Sequence, residues 1–140
     1  MSTTQKENTL GKAEKLKSRK QIELLFAEGK GFTAFPVKVV YLVRQTDGPE
    51  MDIDSAAIQV GVSASTRHFK HATDRNRIKR LLREAYRQQK HELQETAAQK
   101  GVGLSVFFIY LDKTLPGYDL LFDKMRYCLK RLRKTLEELP

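Results

Sequence analysis

Between Arg67 and Lys90 the chain carries nine Lys and Arg against two acids, Asp74 and Glu84, which leaves +7 of its formal net charge of +9 in one segment. Residues of this kind bind polyanions. At about 100° per residue, Arg75, Lys79, Arg83, Arg87 and Lys90 fall on one side of a helix with Asn76 and Arg80 beside them, while Ile78, Leu81, Leu82, Ala85 and Tyr86 fall on the other. The apolar side can dock on a core while the cationic side meets a polyanion. A solvated charged face normally mixes signs at i,i+4 spacing, whereas here 75/79, 79/83 and 83/87 are like charges, each pair costing roughly a few tenths of a kcal/mol in the free protein. Arg outnumbers Lys on this helix, which favours planar, bidentate phosphate contact and stacking on bases. RNA suits that chemistry better than DNA, because a DNA-reading helix sits in a helix-turn-helix or on a dimer fork and the sequence offers neither.

No catalytic constellation accompanies the cations. There is no Ser-His-Asp ordering, no P-loop glycine pattern and no carboxylate pair for two metals; Asp52 and Asp54 flank a turn and read as solvent-facing. His68 and His71 stand three apart without a Cys or carboxylate pair, so no metal is assigned to them, and His91 reads as exposed. The single cysteine, Cys128, allows neither an intramolecular disulfide nor a thiolate zinc site, and a reducing cytoplasm fits. The first residues lack the apolar core of a signal peptide, and no stretch approaches the roughly 18 to 20 apolar residues that span a bilayer. A pI near 9.7 points to nucleic acid ahead of an anionic membrane or an acidic protein, because the apolar face of the basic helix is ordinary core.

The elements that must position this helix can be read along the chain. Residues 1–12 are polar and aperiodic and read as a disordered tail, leaving 13–140 as one domain. Ser18 with Gln21 is a capping box, Ile22, Leu25 and Phe26 share a face, and Gly29 is a stop, which predicts a helix over 18–28. Val37–Arg44 reads as a strand followed by an Asp47-Gly48-Pro49 turn. In 56–65 Ile58, Val60 and Val62 alternate with Gln59, Gly61, Ser63 and Ser65, giving one buried face and one small polar face that is either plain solvent exposure or a floor for an extended ligand. Thr73 or Asp74 can cap the basic helix, which runs to about Glu95. Gly101 and Gly103 precede Leu104–Leu111, a near-continuous apolar run expected in mid-sheet. From Tyr118 to Glu138, Leu121, Met125, Cys128, Leu129, Leu132 and Leu136 recur at helical spacing. Lys124, Arg126, Lys130, Arg131, Arg133 and Lys134 surround that stripe and read as a solvated face in preference to an extension of the positive surface. The order αβββαβα, with about four strands in one sheet and helices packed on it, is an α+β two-layer sandwich.

The run Asp74-Arg75-Asn76-Arg77-Ile78-Lys79-Arg80-Leu81-Leu82-Arg83 resembles the RNR signature of the bacterial ribonuclease P protein subunit. Val60-Gly61-Val62-Ser63 is similar to that family's strand motif, and Leu16-Lys17 precedes a short helix as it does there. The likeness extends from about residue 14 to 135. It implies a noncatalytic protein that binds the ribonuclease P catalytic RNA and precursor tRNA, with the RNA cutting the 5′ leader in a magnesium-dependent reaction. It also implies a left-handed β-α-β crossover, against the general handedness rule. Neither a cofactor held by the protein alone nor an obligate protein partner is implied.

Carried over residue by residue, Arg75, Asn76, Arg77, Lys79, Arg80 and Arg83 are the motif positions, with Arg67, Lys70 and Arg87 as further basic contributors. The family's leader cleft, between the first helix and the open sheet face, maps here to Ile22, Phe26, Lys38, Val40 and Ser63, if Val37, Val39 and Tyr41 face the core. Phe26 is either a stacking platform for a base or ordinary core. Ile22 stands where the family commonly has an aromatic and offers no π face, which weakens leader affinity or alters nucleotide preference. A basic RNA-binding or ribosome-associated structural protein is the alternative reading.

Overall fold

The structure is a computed structural model that describes residues 14–45 and 57–139. The expected tail over 1–12, the Asp47-Gly48-Pro49 turn and Asp52 and Asp54 lie outside the described residues. Element order is α1 (Arg19–Glu28), β1 (Lys30–Ala34), β2 (Val37–Gln45), β3 (Ile58–Ala64), α2 (Ala72–Gln89), α3 (His91–Lys100), β4 (Val102–Tyr110) and α4 (Tyr118–Glu137). The strands form one mixed sheet in the order β1-β2-β4-β3. β1 and β2 are an antiparallel hairpin, β2 pairs antiparallel with β4, and β3 lies parallel to β4 with Gly61 opposite Phe107. β4 is therefore central, as its apolar run predicts.

The alternation of β2, β3 and β4 puts Val37, Val39, Ile58, Val60, Leu104, Val106, Phe108 and Tyr110 on one sheet face. That face is covered by Ile78, Leu82, Ala85 and Tyr86 of α2, Leu93 and Ala97 of α3, and the predicted stripe of α4. The opposite face carries a smaller cluster in which Leu16, Leu25 and Val40 are buried with Ile22, Leu42, Phe107 and Ile109 against them, so α1 covers only part of it. Within the described residues no helix is long and apolar enough to cross a membrane.

α1 starts as its sequence dictates, with the Ser18 hydroxyl accepting from the Gln21 amide at 3.4 Å. It stops at Gly29 for want of space, not for backbone handedness. Gly29 has an ordinary φ of −73°, but a Cβ there would lie 2.4 Å from the Leu25 carbonyl oxygen and 2.7 Å from that of Tyr41. Gly29→Ala is therefore expected to destabilise the fold by about 1 to 3 kcal/mol through overpacking, seen as a lowered urea midpoint with unchanged slope.

Three local expectations are corrected. The basic helix is two helices, α2 and α3, separated at Lys90, and the second continues to Lys100, where Gly101 takes the left-handed φ of 66°. The apolar stripe keeps its phase through the break, with Leu93, Thr96 and Ala97 buried beyond it, so periodicity alone reads one helix. α2 begins at Ala72 with His71 as N-cap and no side-chain capping bond, two or three residues ahead of the expected Thr73 or Asp74 cap. β1 is a five-residue edge strand, Lys-Gly-Phe-Thr-Ala, too short and too mixed to announce itself by alternation.

Candidate nucleic-acid interface

α2 presents its cations in three different states. Asn76, Arg77, Arg80 and Arg83 are exposed and Lys79 is half-exposed; with Thr73 they line a surface groove of about 470 Å³. No carboxylate among the described residues forms an ion pair with any of these four cations. Arg75, by contrast, turns back on its own chain and donates to the carbonyl oxygens of Phe69 at 2.7 Å and Lys70 at 3.0 Å. It fixes the loop entering α2, and with it the placement of exposed Arg67 and Lys70.

Arg87 is neutralised within the helix. Its guanidinium pairs with Glu84 one turn back, through Nε at 3.1 Å and through Nη2. The hydrogen bonds of Arg87, then of Gln88, hold the Glu84 carboxyl below its usual range, and the same Arg87–Glu84 bond raises the guanidinium. A carboxyl depressed in the folded state stabilises fully at neutral pH and loses that contribution as pH falls through and below the ordinary carboxylate range. The pair is at the surface and its worth is small. Arg87→Ala is accordingly expected to leave the salt dependence of RNA binding nearly unchanged, whereas Arg80→Ala reduces the slope of log K against log salt by about 0.7 to 0.9. Filter binding across a salt series checks this.

Lys90 departs furthest from the sequence reading. Helical phase places it on the cationic face, but its ammonium is buried, with a side-chain exposure of 2%, and bonds the Glu14 carboxylate at 2.8 and 3.1 Å. The Gln94 amide adds a contact to Glu14 at 3.0 Å. Phase gives direction around a helix, and here the N-terminal segment comes to meet that side.

Glu14 anchors residues 15–17 beside the open edge of β3, where the Leu16 amide donates to the Val60 carbonyl at 2.9 Å. The result is a cleft of about 320 Å³ lined by Lys15, Leu16, Lys17, Ile22, Val60, Gly61, Val62, Arg83 and Phe107. Arg83 lines both the cleft and the groove along α2, so the two concavities share that residue.

Of the residues expected around the sheet floor, only Ile22 lines this cleft. The strand phase is as expected, with Val37 and Val39 in the core and Lys38 exposed. Val40, however, is buried with Leu16 and Leu25 and supports the cleft from below. The floor of β3 is also narrower than a bare polar face. The Phe107 ring lies over Gly61, where a Cβ would come within 2.5 Å of it, and Gln59 is buried, leaving Ser63 half-exposed. Phe26 is 48% exposed and meets Phe107 edge to face at 5.3 Å, so part of its ring remains open. Lys15, Lys17 and Phe107 were not foreseen. Phe107 had a signal, since the alternation of β4 assigns it to the face opposite the core and a glycine on the neighbouring strand makes room for it.

Comparison with known proteins agrees with this geometry. The family model for Ribonuclease P matches residues 10–135. The ribonuclease P protein component of Porphyromonas gingivalis is 33% identical over 123 residues, covering 88% of this chain and 85% of that protein. That of Chlorobium phaeobacteroides is 31% identical over 133 residues, covering 90% and 89%. Among solved structures, the fold is similar to the RNase P protein of Staphylococcus aureus, with a TM-score of 0.63 at 18% identity over 86% of this chain and 95% of that one. It is likewise similar to that of Thermotoga maritima, with a TM-score of 0.62 at 24% identity over 84% and 96%.

Proposed function

Because the chain belongs to the ribonuclease P protein family, we propose that it is the noncatalytic subunit that grips the catalytic RNA and guides the 5′ leader of precursor tRNA to it. One observation carries the reading: the unneutralised groove on α2 and the cleft beside β3 meet at Arg83. A folded RNA bound along Asn76, Arg77, Lys79 and Arg80 then has a single-stranded segment within reach of a narrow, partly apolar cleft. Arg67 and Lys70 extend the positive surface at the start of α2. Lys15 and Lys17 supply phosphate contacts in the cleft, Ile22 and Phe107 its apolar wall, and Phe26 an open ring edge against Phe107. In this reading the magnesium of the reaction belongs to the RNA.

Reconstitution tests the proposal. The chain alone is expected to leave precursor tRNA intact, and to restore 5′ cleavage by the cognate catalytic RNA at magnesium concentrations where the bare RNA is inactive. Failure to restore cleavage, with ribosomal RNA as the species that co-purifies, would overturn it.

A further inference from the structure

α4 carries a second cationic surface, where the sequence favours a solvated face over an extension of the positive surface. Tyr127, Lys130, Arg131 and Lys134 stand at i, i+3, i+4 and i+7, a contiguous patch over two helical turns. They enclose a groove of about 370 Å³. The neighbouring arginines are neutralised: Arg126 by Asp123 at 2.7 Å, Arg133 by Glu92 at 2.5 Å and Glu137 at 3.2 Å. Lys130, Arg131 and Lys134 have no carboxylate partner among the described residues. Asp123, Glu92 and Glu137 thus pair with the flanking arginines, and the centre stays unpaired.

Two rings complete the patch. The Arg131 guanidinium is held 4.3 Å over Phe32 of β1, which fixes its position on the ring face and leaves its N–H edge for an external acceptor. Tyr127 is 51% exposed, a large ring open to solvent among three cations. Phosphates on the cations and a base on the ring are what a groove for single-stranded nucleic acid requires. α4 reaches β1 whereas α2 packs on β3, at the other end of the sheet. Three strand spacings, about 14 Å, separate those edges, and the two grooves share no lining residue.

We propose that this face of α4 is a second RNA-binding surface, holding an unpaired RNA stretch apart from the groove on α2 and so letting the protein bridge two segments of one ribonucleoprotein. The identity of that RNA rests on the family reading; the surface does not. Photo-crosslinking tests it in the assembled complex with cognate catalytic RNA and precursor tRNA, using Tyr127→Cys and, in the α2 groove, Thr73→Cys, each carrying a thiol-linked photoreactive group. The native Cys128 is fully buried, and burial pushes its thiol up to about 12, so label goes to the introduced residue. Position 127 is expected to crosslink to unpaired nucleotides different from those reached from position 73. K130A/K134A is expected to lower the salt slope of binding by about 1.4, the value for two single-strand phosphates. Crosslinks from 73 without any from 127, or an unchanged slope, would overturn the second surface. Crosslinks from neither would overturn the family-level partner along with it.

Discussion

Replacing Arg77, Arg80 and Arg83 together by alanine is expected to abolish assembly with the catalytic RNA at physiological salt while leaving the fold intact. All three are exposed and free of carboxylate pairing among the described residues, so their charge is available to an external partner. If each guanidinium makes one charge-assisted phosphate contact at about 1.5 kcal/mol, the triple loss is roughly three orders of magnitude in affinity. The magnitude of the log–log salt slope should fall by about 2 to 3. Stability should move the other way by a few tenths of a kcal/mol, because the 77/80 and 80/83 repulsions are relieved and alanine is the best helix former. Binding and urea unfolding measured on the same variant separate the two effects, and an undiminished slope would refute the assignment of α2. Arg75→Ala would be a poor substitute, since Arg75 holds the carbonyls of Phe69 and Lys70 and its loss confounds loop order with affinity.

Lys90→Met should cost about 3 to 5 kcal/mol, the usual consequence of leaving one partner of a buried pair uncompensated. That is a third or more of the total stability of most domains. The Glu14 side chain is 14% exposed and would lose its ammonium. The Tyr86 hydroxyl nearby has no hydrogen-bond partner among the described residues, and burial, with the Glu14 charge, already raises its pKa. Glu14→Gln should be harmful from the other side, because it takes the carboxylate charge from a buried ammonium. Joining Lys90→Met to Glu14→Leu should recover most of the loss, since an apolar pair at such a site is often neutral. Urea midpoints of the two single variants and the double close this cycle; a single-variant loss under about 1 kcal/mol would show that the pair does not anchor the segment. The functional corollary is local. With Glu14 released, residues 15–17 lose their tether beside β3, and the cleft they wall should bind a leader oligonucleotide more weakly even where the α2 groove is unaffected.

The relation between these two predictions shows where the sequence is legible. Charge density, helical phase and the Arg-Asn-Arg run at 75–77 locate α2 and its outward face because all three are local properties of one segment. The same is true of the apolar stripe of α4, the capping Ser18 and the apolar run of β4. Each follows from periodicities of 3.6 and 2 that do not depend on what lies across the molecule.

What those periodicities cannot report is which charges meet a partner far away in sequence. Arg75, Arg87 and Lys90 look equivalent to Lys79 and Arg83 in charge and phase. Arg75 turns onto carbonyls five and six residues back and Arg87 closes on Glu84 within the helix, but tertiary structure alone buries Lys90 against Glu14, 76 residues distant. Likewise the small polar face of β3 is a strand property, but its covering by Phe107 depends on the parallel register with β4. Sequence by itself determined that the protein is an α+β domain with a phosphate-seeking helix. The fold decided that Lys90 does not remain open, because its neutralisation by Glu14 is a contact between distant segments and the chain must close before that contact exists.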